Sequence, residues 1–123
     1  ATLSLGADST LPIVLPAAQS PRLAGTIRRD GPAIHFEPAD GAGVRLADGT
    51  SVQESLAMAS DRTESATTLA IGTLRLRVHG EPGTDRLWLR AWDVEHPARD
   101  SFTLPESYAP DTVWRVAARF EPY

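Results

Sequence analysis

The sequence predicts an all-β domain, either an antiparallel β-barrel or a β-sandwich built of consecutive hairpins, with at most one short helix. Nine glycines and ten prolines are spread along the 123 residues. Most segments between them alternate apolar and polar side chains, as strands with one buried face do. Many short strands of this kind must close into a barrel or stack as a sandwich to bury that face. The number of alternating segments predicts about eight strands, in a single domain spanning residues 1–123.

The first predicted strand covers residues 11–15 and contains Pro12. A proline lacks the backbone N–H and is tolerated mainly at the edge of a sheet, so we expect this strand at an edge, through which the chain could self-associate. Residues 22–29 and 32–37 are expected to form a hairpin that turns at Asp30-Gly31. Asp-Gly is favoured in tight hairpin turns because both residues tolerate positive φ.

Three further strands are predicted at residues 43–46, 67–71 and 73–79. In the last of these, alternation separates two faces. The core face takes Leu74, Leu76 and Val78, and the opposite face takes Arg75, Arg77 and His79.

Residues 86–93 are expected to pair with 73–79 as a second hairpin. The core face takes Leu87, Leu89 and Ala91, and the opposite face takes Trp88, Arg90 and Trp92. If loop 80–85 pairs His79 with Arg86, then Arg77 faces Trp88 and Arg75 faces Arg90.

A last strand is predicted at residues 113–121, with Trp114, Val116, Ala118 and Phe120 turned inward. The one helical signal begins at Ser51, which forms a capping-box pattern with Glu54 and precedes apolar residues at helical spacing, Val52, Leu56 and Ala59. We expect one or two helical turns there, followed by a polar loop over residues 59–68.

Composition excludes several kinds of chemistry. The chain has no cysteine, which removes disulfides, thiol nucleophiles and Cys-based metal sites. Its three histidines are too far apart for a short metal-ligand motif, so we predict neither a metal nor a cofactor. A net charge of −4 disfavours nucleic acid as a partner.

Location is inferred from what the first residues lack. They have neither the basic start nor the apolar run of a signal peptide, and no window is long and apolar enough to span a membrane. We therefore expect a soluble, cytoplasmic chain without a membrane partner, although it begins with Ala1 and an upstream segment could have been removed. All twelve basic residues are arginine, which suggests a GC-rich, bacterial genome.

Four runs of residues carry a resemblance to a known family. They are Gly72-Thr73-Leu74-Arg75-Leu76, Arg86-Leu87-Trp88-Leu89-Arg90-Ala91-Trp92-Asp93, Pro97-Ala98-Arg99 with Phe102, and the segment from Trp114 to Tyr123. Together with Leu3-Ser4-Leu5-Gly6 near the start, they resemble the bacterial family called domain of unknown function 1684. The resemblance implies that this chain corresponds to the central portion of longer proteins. It supplies no activity, because the family has none established.

The best candidate site is the non-core face of the second hairpin. Its residues are Arg75, Arg77, Trp88, Arg90 and Trp92. Arginines that face each other favour an anion between them, and tryptophan rings offer flat surfaces for stacking. The face therefore predicts an anionic or aromatic small molecule as ligand. The competing interpretation is that the arginines are solvated or paired with nearby acids and that the rings lie under other chain segments.

A second cluster, Asp93 with His96, could act as a general base, but the favoured interpretation is a charged turn that Asp93 caps and Pro97 stiffens. Two functions from different classes follow. One is a non-catalytic domain that binds a small ligand or protein segments. The other is a small β-barrel enzyme, a hydrolase or an isomerase, that uses Asp93, His96 and Arg90. Whether the protein is an enzyme stays open at this point.

Overall fold

The computed structural model describes residues 1–107, 109, 113 and 116–121. Within them the chain forms nine strands and one four-residue helix. The strands are β1 Thr2–Gly6, β2 Ile13–Val14, β3 Gly25–Asp30, β4 Ala33–Pro38, β5 Arg45–Leu46, β6 Leu56–Ala57, β7 Thr68–Ile71, β8 Leu74–Gly80 and β9 Leu87–Asp93, and the helix is α1 Ala98–Ser101. The prediction of a mostly-strand chain is confirmed.

The strands form two open sheets. The five-stranded sheet has the order β2-β1-β3-β4-β6, and the four-stranded sheet has the order β5-β7-β8-β9. All pairs are antiparallel except β1 with β2, which is parallel. Neither sheet closes into a barrel within the described residues.

Both sheets contribute to one hydrophobic core. Leu5 and Phe36 come from the five-stranded sheet, and Leu69 and Leu76 come from the four-stranded one; all four are fully buried. The predicted core face of β8 is confirmed, because Leu74, Leu76 and Val78 are buried. No helix in the described part of the chain is long and apolar enough to cross a membrane.

The first hairpin has the predicted partners but a different turn. Asp30 pairs with Ala33 and closes the ladder, so the two turn residues are Gly31 and Pro32. Only Gly31 has a positive φ, at 58°. Glycine at the first central position, followed by a residue of negative φ, is the arrangement of a type II′ turn, and proline fixes that negative φ. The edge position predicted for residues 11–15 is confirmed at β2, which lies at the edge of its sheet.

The predicted helix after Ser51 is wrong. Ser51 forms an isolated bridge with Arg45, and Leu56 lies in β6, where it pairs with Phe36 of β4. Short apolar patterns fit a strand and a helix equally well. Here the edge of β4 offers backbone hydrogen bonds, so the segment pairs with β4 as a strand. The single short helix, α1, lies instead just after Pro97 and buries none of its residues.

The pairing of β8 with β9 differs from the prediction by two residues. Gly80 pairs with Leu87, His79 with Trp88, and Arg77 with Arg90. The connecting loop, residues 81–86, is held by the Glu81 amide, which donates to the Arg86 carbonyl, and by Arg62, which donates to the carbonyls of Glu81 and Thr84. Because a shift of two residues keeps every side chain on its face, the predicted division of side chains between the two faces is unchanged. Ala91, however, is exposed rather than buried.

The strand predicted at residues 113–121 is not formed by the described residues of that segment. Val116 and Phe120, expected inward, are 84% and 86% exposed. Trp114 and Arg115 lie outside the described residues. An alternating sequence indicates which face a strand would bury. It does not show whether another strand is available to pair with that segment. Conversely, β1 was not predicted as a strand, although it lies at the second position of its sheet.

Candidate functional site

The five predicted ligand-binding residues lie on two adjacent strands. Arg75 and Arg77 belong to β8, and Trp88, Arg90 and Trp92 belong to β9. Because the core residues of β8 alternate with them, all five project from the outer face of the four-stranded sheet. We call this surface the arginine face.

Two arginines stand directly opposite each other at its centre. Arg77 pairs in register with Arg90. The Arg77 Nε and Nη2 atoms both donate to the Thr68 Oγ1, at 3.0 and 2.8 Å, and its guanidinium lies 5.7 Å from the centre of the Trp92 ring. Arg77 is therefore held in place by a neutral hydroxyl and an aromatic ring, and no acidic side chain of the described residues forms an ion pair with it.

Arg90 is the more accessible of the pair. Its side chain is 59% exposed, and its Nη1 lies 3.9 Å from the Asp61 Oδ2, a loose ion pair. Trp88 and Trp92 on the same strand are 56% and 37% exposed. The Arg75 guanidinium, by contrast, is bound to the backbone at the start of β8, since its Nη1 donates to the Gly72 and Leu74 carbonyls at 3.0 and 2.9 Å.

His79, which the sequence placed on the same face of β8 as Arg75 and Arg77, contacts an aspartate that the sequence analysis did not identify, Asp61. His79 Nδ1 and Asp61 Oδ2 are 2.7 Å apart, and the Gly80 amide donates to Asp61 Oδ1 at 3.0 Å. The side chains of His79 and Asp61 are 24% and 22% exposed. The hydrogen bond from His79, together with the Gly80 amide, lowers the pKa of Asp61, so this carboxylate stays ionised.

Asp61 was missed because it lies in the polar stretch 59–68, which has no periodicity. The tertiary structure anchors that stretch. The Asp61 amide donates to the Val78 carbonyl, and the Ala59 amide donates to the Thr67 hydroxyl. Only the contact with β8 distinguishes Asp61 from other loop aspartates, and a single sequence does not reveal it.

The side chains of the second candidate pair, Asp93 and His96, accept hydrogen bonds from the backbone of their own loop. Asp93 Oδ1 accepts from the Glu95 amide at 2.9 Å, and His96 Nδ1 accepts from the Ala98 amide at 3.1 Å. No hydrogen bond joins the two side chains in the described part of the chain. Both act as turn caps, the structural interpretation of this loop.

A groove opens beneath the arginine face, between the two sheets. It has a volume of about 240 Å³ and is mainly apolar, lined by Leu3, Ile27, Ile34, Val78, Leu87 and Leu89. Arg29 and Trp88 also line it. Among residues 1–107, 109, 113 and 116–121, no group of three or more acids and histidines is arranged to hold a metal ion.

Comparisons with protein families, curated proteins and solved structures found no match for this chain.

Proposed function

We propose that the protein is a non-catalytic domain that binds a small anionic molecule with a planar ring on the arginine face. The observation that carries this proposal is the direct pairing of Arg77 with Arg90. Like charges opposite each other on neighbouring strands destabilise a sheet. A bound anion between them turns this repulsion into attraction.

The chemistry of the neighbours defines the ligand class. Guanidinium groups bind carboxylates and phosphates through two parallel hydrogen bonds, and the exposed Arg90 has donors to offer. The partly exposed rings of Trp88 and Trp92 add flat stacking surfaces on the same strand. Together these groups suit an aromatic carboxylate or a phosphorylated ring.

The test is thermal stabilisation by three probes: benzoate, inorganic phosphate and the neutral benzamide. We expect benzoate to raise the Tm of the wild type, and benzamide to leave it unchanged. Arg77→Gln and Arg90→Gln should each remove the benzoate effect. Arg28→Gln is the matched control, because Arg28 is an exposed strand arginine of the other sheet. A benzoate shift that persists in Arg90→Gln, or no shift with any probe, would contradict the proposal.

A second candidate function is a small hydrolase or isomerase that uses an Asp, His and Arg cluster. The 2.7 Å contact between Asp61 and His79, with Arg90 beside it, supports this reading better than Asp93 and His96 do. Asp61 orients the ring, and the other ring nitrogen, Nε2, would act as the base. Turnover of p-nitrophenyl acetate that falls in His79→Gln, but not in His96→Gln, is the expected result for this candidate.

For the fold, we propose an open β-sandwich rather than a barrel. The support is the shared core, to which both sheets contribute buried side chains. We also propose membership of the domain of unknown function 1684 family, supported by the four runs of residues described above.

A further inference from the structure

The strand β9 is an unusual sheet edge. The other strands at the ends of the two sheets, β2, β6 and β5, contain two residues each, whereas β9 contains seven. Natural proteins keep free edges short, or protect them with proline, lysine or a bulge, because a free edge pairs readily with other chains. β9 has no proline and no lysine, and its register with β8 is unbroken.

The backbone of β9 has a paired side and a free side. The Val94 amide donates to the Thr73 carbonyl, and the Glu81 amide donates to the Arg86 carbonyl. These two bonds involve residues 86 and 94, and in an antiparallel pair every second residue bonds to the neighbouring strand. The amides and carbonyls of Trp88, Arg90 and Trp92 therefore also point toward β8. Those of Leu87, Leu89, Ala91 and Asp93 point away, and no described residue hydrogen-bonds to them.

Apolar surface lies next to this free edge. Leu87 and Leu89 are only partly buried on the core face of β9, and they line the groove of about 240 Å³ between the sheets. Ala91, on the same face, is exposed. An added strand would cover this surface with every second side chain.

The opposite face of the same edge is basic and aromatic. The outward residues of β9 are Trp88, Arg90 and Trp92, with Arg77 behind them on β8. The chain as a whole carries a net charge of −4, so the positive charge here is local. Every second side chain of an added strand would face these groups, where carboxylates fit best.

We propose that β9 receives an extended segment of a partner protein in which acidic and apolar residues alternate, and which adds to the four-stranded sheet as a fifth strand. Main-chain hydrogen bonds supply affinity in this mode, and the alternating side chains supply specificity. A second copy of this chain fits less well. Pairing of two β9 strands would bring both copies of Arg90 to the interface. The outer-face residues of β9, Trp88, Arg90 and Trp92, include no acid to balance that charge.

The test uses the full chain and three acetylated, amidated seven-residue peptides. One alternates glutamate with valine, one alternates lysine with valine, and one has the glutamates and valines in blocks. Amide exchange followed by NMR is the main measurement. We expect the alternating glutamate peptide to slow exchange at Leu87, Leu89 and Ala91, while Trp88 and Arg90, already bonded to β8, change little.

A pair of variants tests the backbone contact directly. Ala91→Pro removes an outward N–H without removing a bond to β8, and we expect it to weaken binding of the glutamate peptide roughly tenfold or more. Ala91→Val keeps the N–H and should bind like the wild type. If Ala91→Pro fails to fold, the exchange pattern of the wild type still decides the question.

Four outcomes would overturn the proposal. The peptides could leave the three amides unprotected, or the lysine or block peptide could protect them equally. Protection in the free chain at every concentration would mean that another segment of this chain covers the edge. Protection that grows with chain concentration would mean a second copy. Failure of benzoate to bind does not affect these measurements, so the two proposals fail separately.

Discussion

Asp61 and His79, 18 residues apart in the chain, are joined by a 2.7 Å contact between Oδ2 and Nδ1. The other carboxylate oxygen, Oδ1, accepts from the Gly80 amide at 3.0 Å. Because an ionised carboxylate only accepts hydrogen bonds, Nδ1 is the ring nitrogen that donates. The pair thus fixes the orientation of the imidazole beside Arg90.

Asp61→Asn should reverse the tautomer of His79. The Gly80 amide keeps the asparagine oxygen on its side, so the amide nitrogen takes the place of Oδ2 and donates to Nδ1. The proton of the neutral ring then moves to Nε2. The ¹⁵N chemical shifts of the imidazole, measured at alkaline pH, report this change. An unchanged Nδ1–H ring would contradict the assignment.

Gly80→Ala should destabilise the protein by about 1–2 kcal/mol. A Cβ at this position would overlap the Arg62 side chain, which must then move and lose its hydrogen bonds to the loop between β8 and β9. Chemical denaturation measures the change in the free energy of unfolding.

The control for Gly80→Ala is a double-mutant cycle with Arg62→Ala. If the overlap is the cause, adding Gly80→Ala to the Arg62→Ala chain should cost no more than about 0.5 kcal/mol. An equal cost in both backgrounds would show that the substitution acts on something other than Arg62.

Phe36→Ala should lower the free energy of unfolding by about 3–5 kcal/mol, because it removes a fully buried ring from the shared core. Phe102→Ala is the matched control. Its ring is 71% exposed, so the loss should stay within about 0.5 kcal/mol. Equal losses in the two variants would show that the core is placed wrongly.

Asp8 should make stability sensitive to acid. The Thr10 amide, the Arg22 guanidinium and the Thr10 hydroxyl all donate to its carboxylate and lower its pKa in the folded state. A carboxyl group whose pKa is lowered by folding stabilises the protein above its unfolded pKa, roughly 3.9. That contribution is lost as the pH falls below this value.

Denaturation of the wild type and Asp8→Asn between pH 6 and pH 2 measures this loss. The wild type should be the more stable at pH 6, and the difference between the two chains should shrink below about pH 4. A difference that stays constant down to pH 2 would contradict the role of the carboxylate.

The candidate site could be predicted only in part. Alternation placed Arg77, Arg90, Trp88 and Trp92 on one outer face, and the structure has them there. It could not identify Arg90 as the partner of Arg77, because a slip of two residues keeps all faces the same. The contact of Asp61 with His79 was also hidden, because no local pattern links a loop residue to a strand that follows it.

The sequence by itself determined which segments alternate, which face of β8 is buried, and that the strand within residues 11–15 lies at a sheet edge. The first two features follow from the geometry of a single strand, in which side chains point to opposite faces in turn, and the third was predicted from the backbone N–H that Pro12 lacks. The tertiary structure alone decided the register of β8 with β9, the strand at Leu56–Ala57 in place of a helix, and the absence of pairing at residues 116–121. Each of these depends on whether a neighbouring strand edge is open to hydrogen bonding, which is a property of chain segments distant in sequence.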